Sequence, residues 1–388
     1  MDARGSHYAY KWYKGNPLKK IDFFKHNIGN KEIEDVTKVL HSIFLTNANI
    51  TKTFEENFAN YLQAQHCITV SSCTAALHLS LLALGIGKGD EVITTPLSFV
   101  ATPNAILHAG ATPVFVDVEK ETGNIDANLI EQAITPKTKA IMPVHLYGTM
   151  CDMKKIHQIA QKYNLKIIED AAHCIEGERD GIRVGELSDT ACFSFYATKN
   201  ITSGEGGAIT TNDTKLAQTL YKLRIHGINK DASSRYTQTY QHWDMEILGW
   251  KYNISDIQSA LLLNQLKNIE KYLQKREKVA QLYEKKLKKL KKVKLLSVPK
   301  HTKSARHLFT ILVKKRDKAL LKLQKKGIGV AVNYRAIHLL HYYKKEYNYK
   351  KGDFPIAEYI GERTLSIPLH PNLQKKEIKK IIKAVSKL

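Results

Sequence analysis

A single lysine, Lys199, stands between the apolar, aromatic run "FSFYAT" (193–198) and the glycine-rich "SGEGG" (203–207). A lysine held against apolar walls loses basicity and serves as a nucleophile or Schiff-base former. In a surface turn it would be one more solvated cation. Ser194 lies just upstream, and Gly204, Gly206 and Gly207 predict a tight turn back into "AITT". The order GxxxxGK[ST] is absent, so this is not a P-loop. In "TVSSCTAALHL" (69–79) a strand ends in small hydroxyl residues and a helix begins at Thr74–Ala75. The free N–H groups of such a first turn form an anion site, although an ordinary Ser/Thr N-cap reads the same way. "IIEDAAH" (167–173) ends an apolar strand in carboxylates. Asp170 is costly to bury unless it meets a cation or proton donor, and in a loop it would simply be solvated. His173 by itself fits a structural histidine as well as a ligand contact. Phe99, after "TTPLS", is either a core aromatic or a flat wall for a planar ligand.

These residues need elements to hold them. From about residue 66, short β-branched runs (67–72, 90–95, 112–118, 138–148, 165–172, 190–195) alternate with helical stretches (74–87, 99–110, 153–163). Val and Ile on both faces predict an α/β fold with a mostly parallel sheet buried between helices. Ligands of such sheets bind beyond the carboxyl ends of the strands, where the candidate residues fall. After about residue 260 the pattern changes to one long helix (257–290), strand candidates 307–313 and 330–334, and further helices. The reading is a large domain over 21–260 and a smaller α/β domain over 261–388. Residues 1–20 lack periodicity and contain "GSH", so they are set aside as a tag or disordered segment.

The chain has 388 residues, 60 Lys and Arg against 37 Asp and Glu, and a net charge of +23. Much of the excess alternates with Leu, Ile and Val at helical spacing, as in "KKLKKLKKVK" (285–294) and "IKKIIK" (378–383), and reads as the wet face of helices. No nucleic-acid-binding motif accompanies it, so the remaining pull is a general one on anionic ligands. The five cysteines show no CxxC pair and no zinc spacing. No metal site, membrane span or signal peptide is expected, and free thiols fit a cytoplasmic protein.

An anion cradle, a carboxylate, a lysine and an aromatic plate at the strand ends of one sheet are the contacts pyridoxal phosphate requires. The wording agrees. "SSCTAALHLSLLALGIGKGDEVITTPLSFVATPNAILHAGATPVFVDV", "IIEDAAH", "FSFYATKNITSGEGGAITTND", "RIHG", "LGWKYNISDIQSALLLNQL" and "LSIPLHP" resemble the nucleotide-sugar aminotransferases of the DegT/DnrJ/StrS family. That resemblance spans about residues 25–370 and implies the type I pyridoxal-phosphate transferase fold, with a seven-stranded type of sheet. It implies that Lys199 holds the cofactor and shuttles protons, that Asp170 pairs with its ring nitrogen, and that Phe99 stacks on the ring. His173 would lie near the phenolic oxygen, and Thr74, Ala75 and Ser194 would bind the phosphate. Asn253 would reach the phosphate site of a neighbouring subunit, making a homodimer with shared active sites. Tyr334 and His338 would lie near the sugar nucleotide.

The implied reaction moves an amino group from L-glutamate to a nucleotide-linked keto sugar in a ping-pong cycle. "TKNITSGEGG" (198–207) is closer to members that act on 4-keto-6-deoxy sugars, which points to a 4-amino sugar for a surface glycan. The alternatives are a 3-keto-sugar or cyclitol aminotransferase, and a cofactor-bound regulatory protein without turnover. Lys199 argues against the relatives that carry histidine there and dehydrate the sugar. Two departures stand out: "SIFLTNAN" (42–49) lacks the usual glycines, and Cys73 replaces a common glycine.

Overall fold

Short apolar strands pair into one seven-stranded sheet in a computed structural model that describes residues 20–229 and 242–388. Apart from Lys20, the segment read as a tag lies outside the described residues. The first helices are α1 (Asn30–Leu40) and α2 (Asn49–Leu62), followed by β1 (His66–Val70), α3 (Cys73–Ala83), β2 (Glu91–Thr94), α4 (Ala101–His108) and β3 (Thr112–Phe115). Next come β4 (Thr138–Ile141), α5 (Met153–Tyr163), β5 (Lys166–Asp170), the short pair β6 (Glu178–Arg179) and β7 (Ile182–Arg183), β8 (Thr190–Ser194), β9 (Gly207–Thr211) and α6 (Thr214–Leu223). The sheet order is β1-β9-β8-β5-β4-β2-β3. All neighbours are parallel except β9, which runs antiparallel to both β1 and β8.

Alternation along each strand sends neighbouring side chains to opposite layers. Ile167 and Phe193 join the core under α2 and α5, whereas Ile168 and Cys192 join the core under α3, α4 and α6. Both faces are thereby dry, which explains strands that read as continuous apolar runs.

The expected long helix is two helices, α7 (Asp256–Lys267) and α8 (Ile269–Leu287). Asn268 breaks it: its backbone turns to φ −102°, ψ 7°, and its side-chain amide donates back to the Asn264 carbonyl at 2.9 Å, a local bond that competes with the helix. The remaining elements are β10 (Val293–Leu295), β11 (Thr302–Lys303), β12 (Phe309–Val313), α9 (Arg316–Lys325), α10 (His341–Tyr347), α11 (Pro355–Arg363), β13 (Thr364–Ile367) and α12 (Lys375–Val385). Strands β10, β12 and β13 form a small sheet. The stretch 330–334 is not a strand; Ala331 alone bridges to Ser366. Nor do the packing units divide at residue 261. Leu262, Leu266 and Ile269 pack under the large sheet, while Val279, Tyr283 and Leu287 of α8 pack in the C-terminal core with Ile21. The backbone of Ile21 is bonded to Gly327 and Gly329, both at 2.8 Å. Among the described residues, no helix is long and apolar enough to cross a membrane.

Candidate active site

The carboxyl ends of β5 and β8 and the start of α3 open onto a cavity of about 560 Å³. Lys199 enters it from a turn whose backbone is fixed at many points. Lys199 N–H donates to Tyr196 O at 2.9 Å, Ser203 N–H to Phe195 O at 3.0 Å, and Phe195 N–H to Gly206 O at 2.8 Å. Burial lowers the Lys199 ammonium from its usual range to about 8, with Cys73 and Asp170 pulling the other way. Desolvation disfavours the charged form of an amine, so a sizeable fraction is free amine near neutrality.

Asp170 ends β5 almost fully buried. Its Oδ2 accepts from Thr102 Oγ1 at 2.7 Å and its Oδ1 from Ala172 N–H at 3.2 Å. Burial raises its carboxyl above the ordinary range, against the pull of those bonds and of Lys199 and His145. Phe99 lines the same cavity and stands 58% exposed, a large apolar ring left bare at a cavity wall. Its ring centroid lies 5.9 Å from that of Tyr334.

His173 is buried, and burial holds its imidazole well below the usual range, so the ring is neutral. Its Nδ1 accepts from Tyr147 N–H at 3.2 Å, which places the ring proton on Nε2. That Nε2–H therefore donates to Tyr334 Oη, 3.1 Å away, and the Tyr334 hydroxyl proton is left for another acceptor.

At the third corner Ser72 caps α3, its Oγ accepting from Ala75 N–H at 3.1 Å. Cys73 and Thr74, the first two residues of the helix, keep N–H groups with no intrahelical partner, and both line the cavity with Ser194. Strand β9 passes close beneath. A Cβ built on Gly207 would lie 2.5 Å from the Ser72 carbonyl carbon and 2.6 Å from Cys73 N. Only glycine leaves this helix start in place.

The structure thus gathers Lys199, Asp170, Phe99, His173, Thr74, Ser194 and Tyr334 around one cavity. Two expected residues, Ala75 and His338, fall elsewhere, and Asn253 was expected at a neighbouring subunit's site. Ala75 lies outside the lining, its N–H taken by the Ser72 cap. His338 is fully buried, bonded through Nε2 to Glu358 Oε1 at 3.0 Å and packed on Phe354, and it does not line the cavity. Asn253 is outside its own chain's cavity and donates to Thr46 Oγ1 at 3.4 Å and Ile254 O at 3.2 Å. Thr102 was not anticipated. The only signal was its place one turn after Phe99, within reach of the end of β5.

The residues fit pyridoxal phosphate: helix-start N–H groups without an intrahelical partner for an anion, a buried carboxylate sharing a cavity with a half-buried lysine, and a bare aromatic face. A profile of the DegT/DnrJ/EryC1/StrS aminotransferase family matches residues 26–386. The chain belongs to that family. The spore coat polysaccharide biosynthesis protein SpsC of Bacillus subtilis is 40% identical over 366 residues, covering 92% of this chain and 94% of SpsC. Among solved structures, DesV of S. venezuelae, in complex with a ketimine intermediate, superposes with a TM-score of 0.85 at 34% identity, over 92% of this chain and 93% of DesV. The Helicobacter pylori aminotransferase PseC, involved in pseudoaminic acid biosynthesis, gives a TM-score of 0.89 at 31% identity, over 95% and 99% of the two chains. This DegT-family chain is a pyridoxal-phosphate-dependent sugar aminotransferase with the type I fold.

Proposed function

We propose that this enzyme transfers an amino group from L-glutamate to the keto carbon of a nucleotide-linked 4-keto-6-deoxy sugar, giving a 4-amino sugar for a surface glycan. The observation that carries the aminotransferase chemistry is Lys199 in one cavity with Asp170 and Phe99. The 4-keto assignment rests on the resemblance of "TKNITSGEGG" (198–207), and the glycan role on the polysaccharide and pseudoaminic acid roles of SpsC and PseC.

Thr74, Cys73 N–H and Ser194 would hold the cofactor phosphate, Asp170 its ring nitrogen, Phe99 a ring face and Lys199 its aldehyde carbon. Bound pyridoxal phosphate supplies an electron sink that acidifies a neighbouring C–H bond. Lys199 Nζ, lowered to about 8, can take a proton from carbon and return it near neutral pH. Asp170, kept dry and bonded to Thr102, presents a fixed negative charge to a ring N–H. Tyr334, receiving the His173 proton, directs its own O–H toward an acceptor in the cavity, such as a sugar oxygen.

The enzyme works in this reading as a cytoplasmic homodimer. Asn253 sits on Thr46, and beside it Ile43 and Leu45 stand 92% and 45% exposed, apolar surface suited to a second copy. Incubation with glutamate and a panel of 3- and 4-keto nucleotide sugars, read by mass and NMR, tests the substrate. Amination of 3-keto sugars alone refutes the 4-keto assignment. Mixing K199A with N253A subunits tests shared sites: recovered activity is expected, and none would count against the dimer.

A further inference from the structure

Behind Lys199 lies a buried polar chain that the reaction does not itself require. Asn200, the next residue, turns its side chain away from the cavity into the protein. Its Nδ2 donates to Glu176 Oε2 at 2.8 Å and to Ala305 O at 3.1 Å. A carboxylate only accepts, so the amide must point this way round. Asn200 Oδ1 then accepts from His307 Nδ1, 3.1 Å away, which places the His307 proton on Nδ1. The His307 ring lies against His173, centroids 4.5 Å apart. Glu176 also takes Arg276 Nη2 of α8 on its other oxygen, and Arg276 Nη2 donates to Ala305 O at 3.2 Å.

Glu176 and Arg276 are 3% and 2% exposed, and Arg276 Nε and Nη1 have no partner among the described residues. Such a pair costs much in desolvation, and an apolar replacement is often as stable. Its geometry shows what the cost obtains. It joins the residue beside the reacting lysine to α8 and to the 304–307 segment, in one buried network.

We propose that Glu176, Arg276 and Asn200 are positioning residues, and that their network holds the Lys199 turn so that the amine stays inside the cavity, aligned with Asp170 and His173. The inference rests on the reading that Lys199 is the cofactor lysine. Without the tether the turn can swing outward and the amine regains water.

The charged and titratable groups around Lys199 are Asp170, Cys73, His173 and His307, with Tyr196, Glu205 and Tyr334 lining the same cavity, and the variants N200A and E176Q replace none of them. Glutamine at 176 has one acceptor oxygen and puts an NH2 donor where the second stood, so it cannot meet Arg276 and Asn200 on two separate oxygens as Glu176 does. The measurement is acylation of Lys199 in cofactor-free protein across pH, read by peptide mass, beside thermal melting and steady-state kinetics of the holoenzyme. In both variants the labelling midpoint is expected to rise, cutting free amine at pH 7 at least about threefold. The kcat should fall about tenfold, with the glutamate KM within about threefold. Wild-type labelling midpoints in both variants, whatever happens to melting, overturn the proposal. If E176Q does not fold, E176M/R276M, which leaves no unpaired buried charge, takes the same readings. Borohydride reduction of the wild-type holoenzyme tests the underlying reading separately: a pyridoxyl mass on a peptide other than that of Lys199 refutes the site and says nothing of Asn200.

Discussion

Lys199 should titrate far from the other lysines of the chain. Burial lowers it to about 8, whereas a solvated lysine sits near 10.4. At pH 7 the free-amine fractions are then about 9% and about 0.04%, an excess of roughly 200-fold. Competitive acylation of the cofactor-free protein between pH 6 and 11, resolved by peptide mass, reads each lysine against the others. The Lys199 profile should have its midpoint near 8. The sign of one substitution is also fixed. Asp170 favours the ammonium, so D170N removes that support and moves the midpoint below the wild-type value. A Lys199 midpoint at or above 10, or a rise in D170N, would refute the desolvation argument. The protein would then need the cofactor to activate its lysine.

Replacing Phe99 by alanine removes a stacking face worth about 1 kcal/mol, and cofactor affinity measured by equilibrium dialysis should fall about fivefold. Gly207→Ala forces a Cβ against Ser72 and Cys73; denaturant titration should show a loss of about 1–3 kcal/mol, with cofactor affinity reduced as well. His338→Ala leaves the buried Glu358 carboxylate with the Gly352 N–H but without its imidazole partner and should cost about 1–2 kcal/mol of stability. The sugar KM should stay within about twofold, because His338 does not touch the cavity.

The large sheet and most of the site were legible because the chemistry sits at strand ends, and strand ends show in a sequence as apolar runs stopping at polar residues. Lys199, Asp170 and Phe99 each follow such a run. What escaped depends on which atom is already taken. Ala75 occupies the right turn, but Ser72 claims its N–H, and a sequence does not say which of two neighbouring donors is capped. His338 follows Tyr334 by four residues, yet it turns to Glu358, and only the packing of Phe354 and Tyr349 around it decides that. The Glu176–Arg276 pair joins residues 100 apart, and nothing local marks either as buried. The break at Asn268 was hidden by helix formers on both sides. In the stretch 330–334 the β-branched residues suggested a strand, but this chain follows the cavity wall, where Asn333 and Tyr334 line the site.

Among the described residues, strand β1 pairs in the sheet with β9 alone, residue for residue from His66–Thr211 to Val70–Gly207. On the ribosome, the strand that leads into the anion-binding helix must therefore wait for more than a hundred further residues to emerge. The strand it waits for is the one that follows the lysine turn. One late pairing event closes the sheet edge, seats Gly207 under the helix start and brings the two halves of the site together. A nascent chain arrested before residue 207 would hold an unpaired apolar edge and no cofactor site. Competence to bind and completion of the sheet arrive in the same step of synthesis.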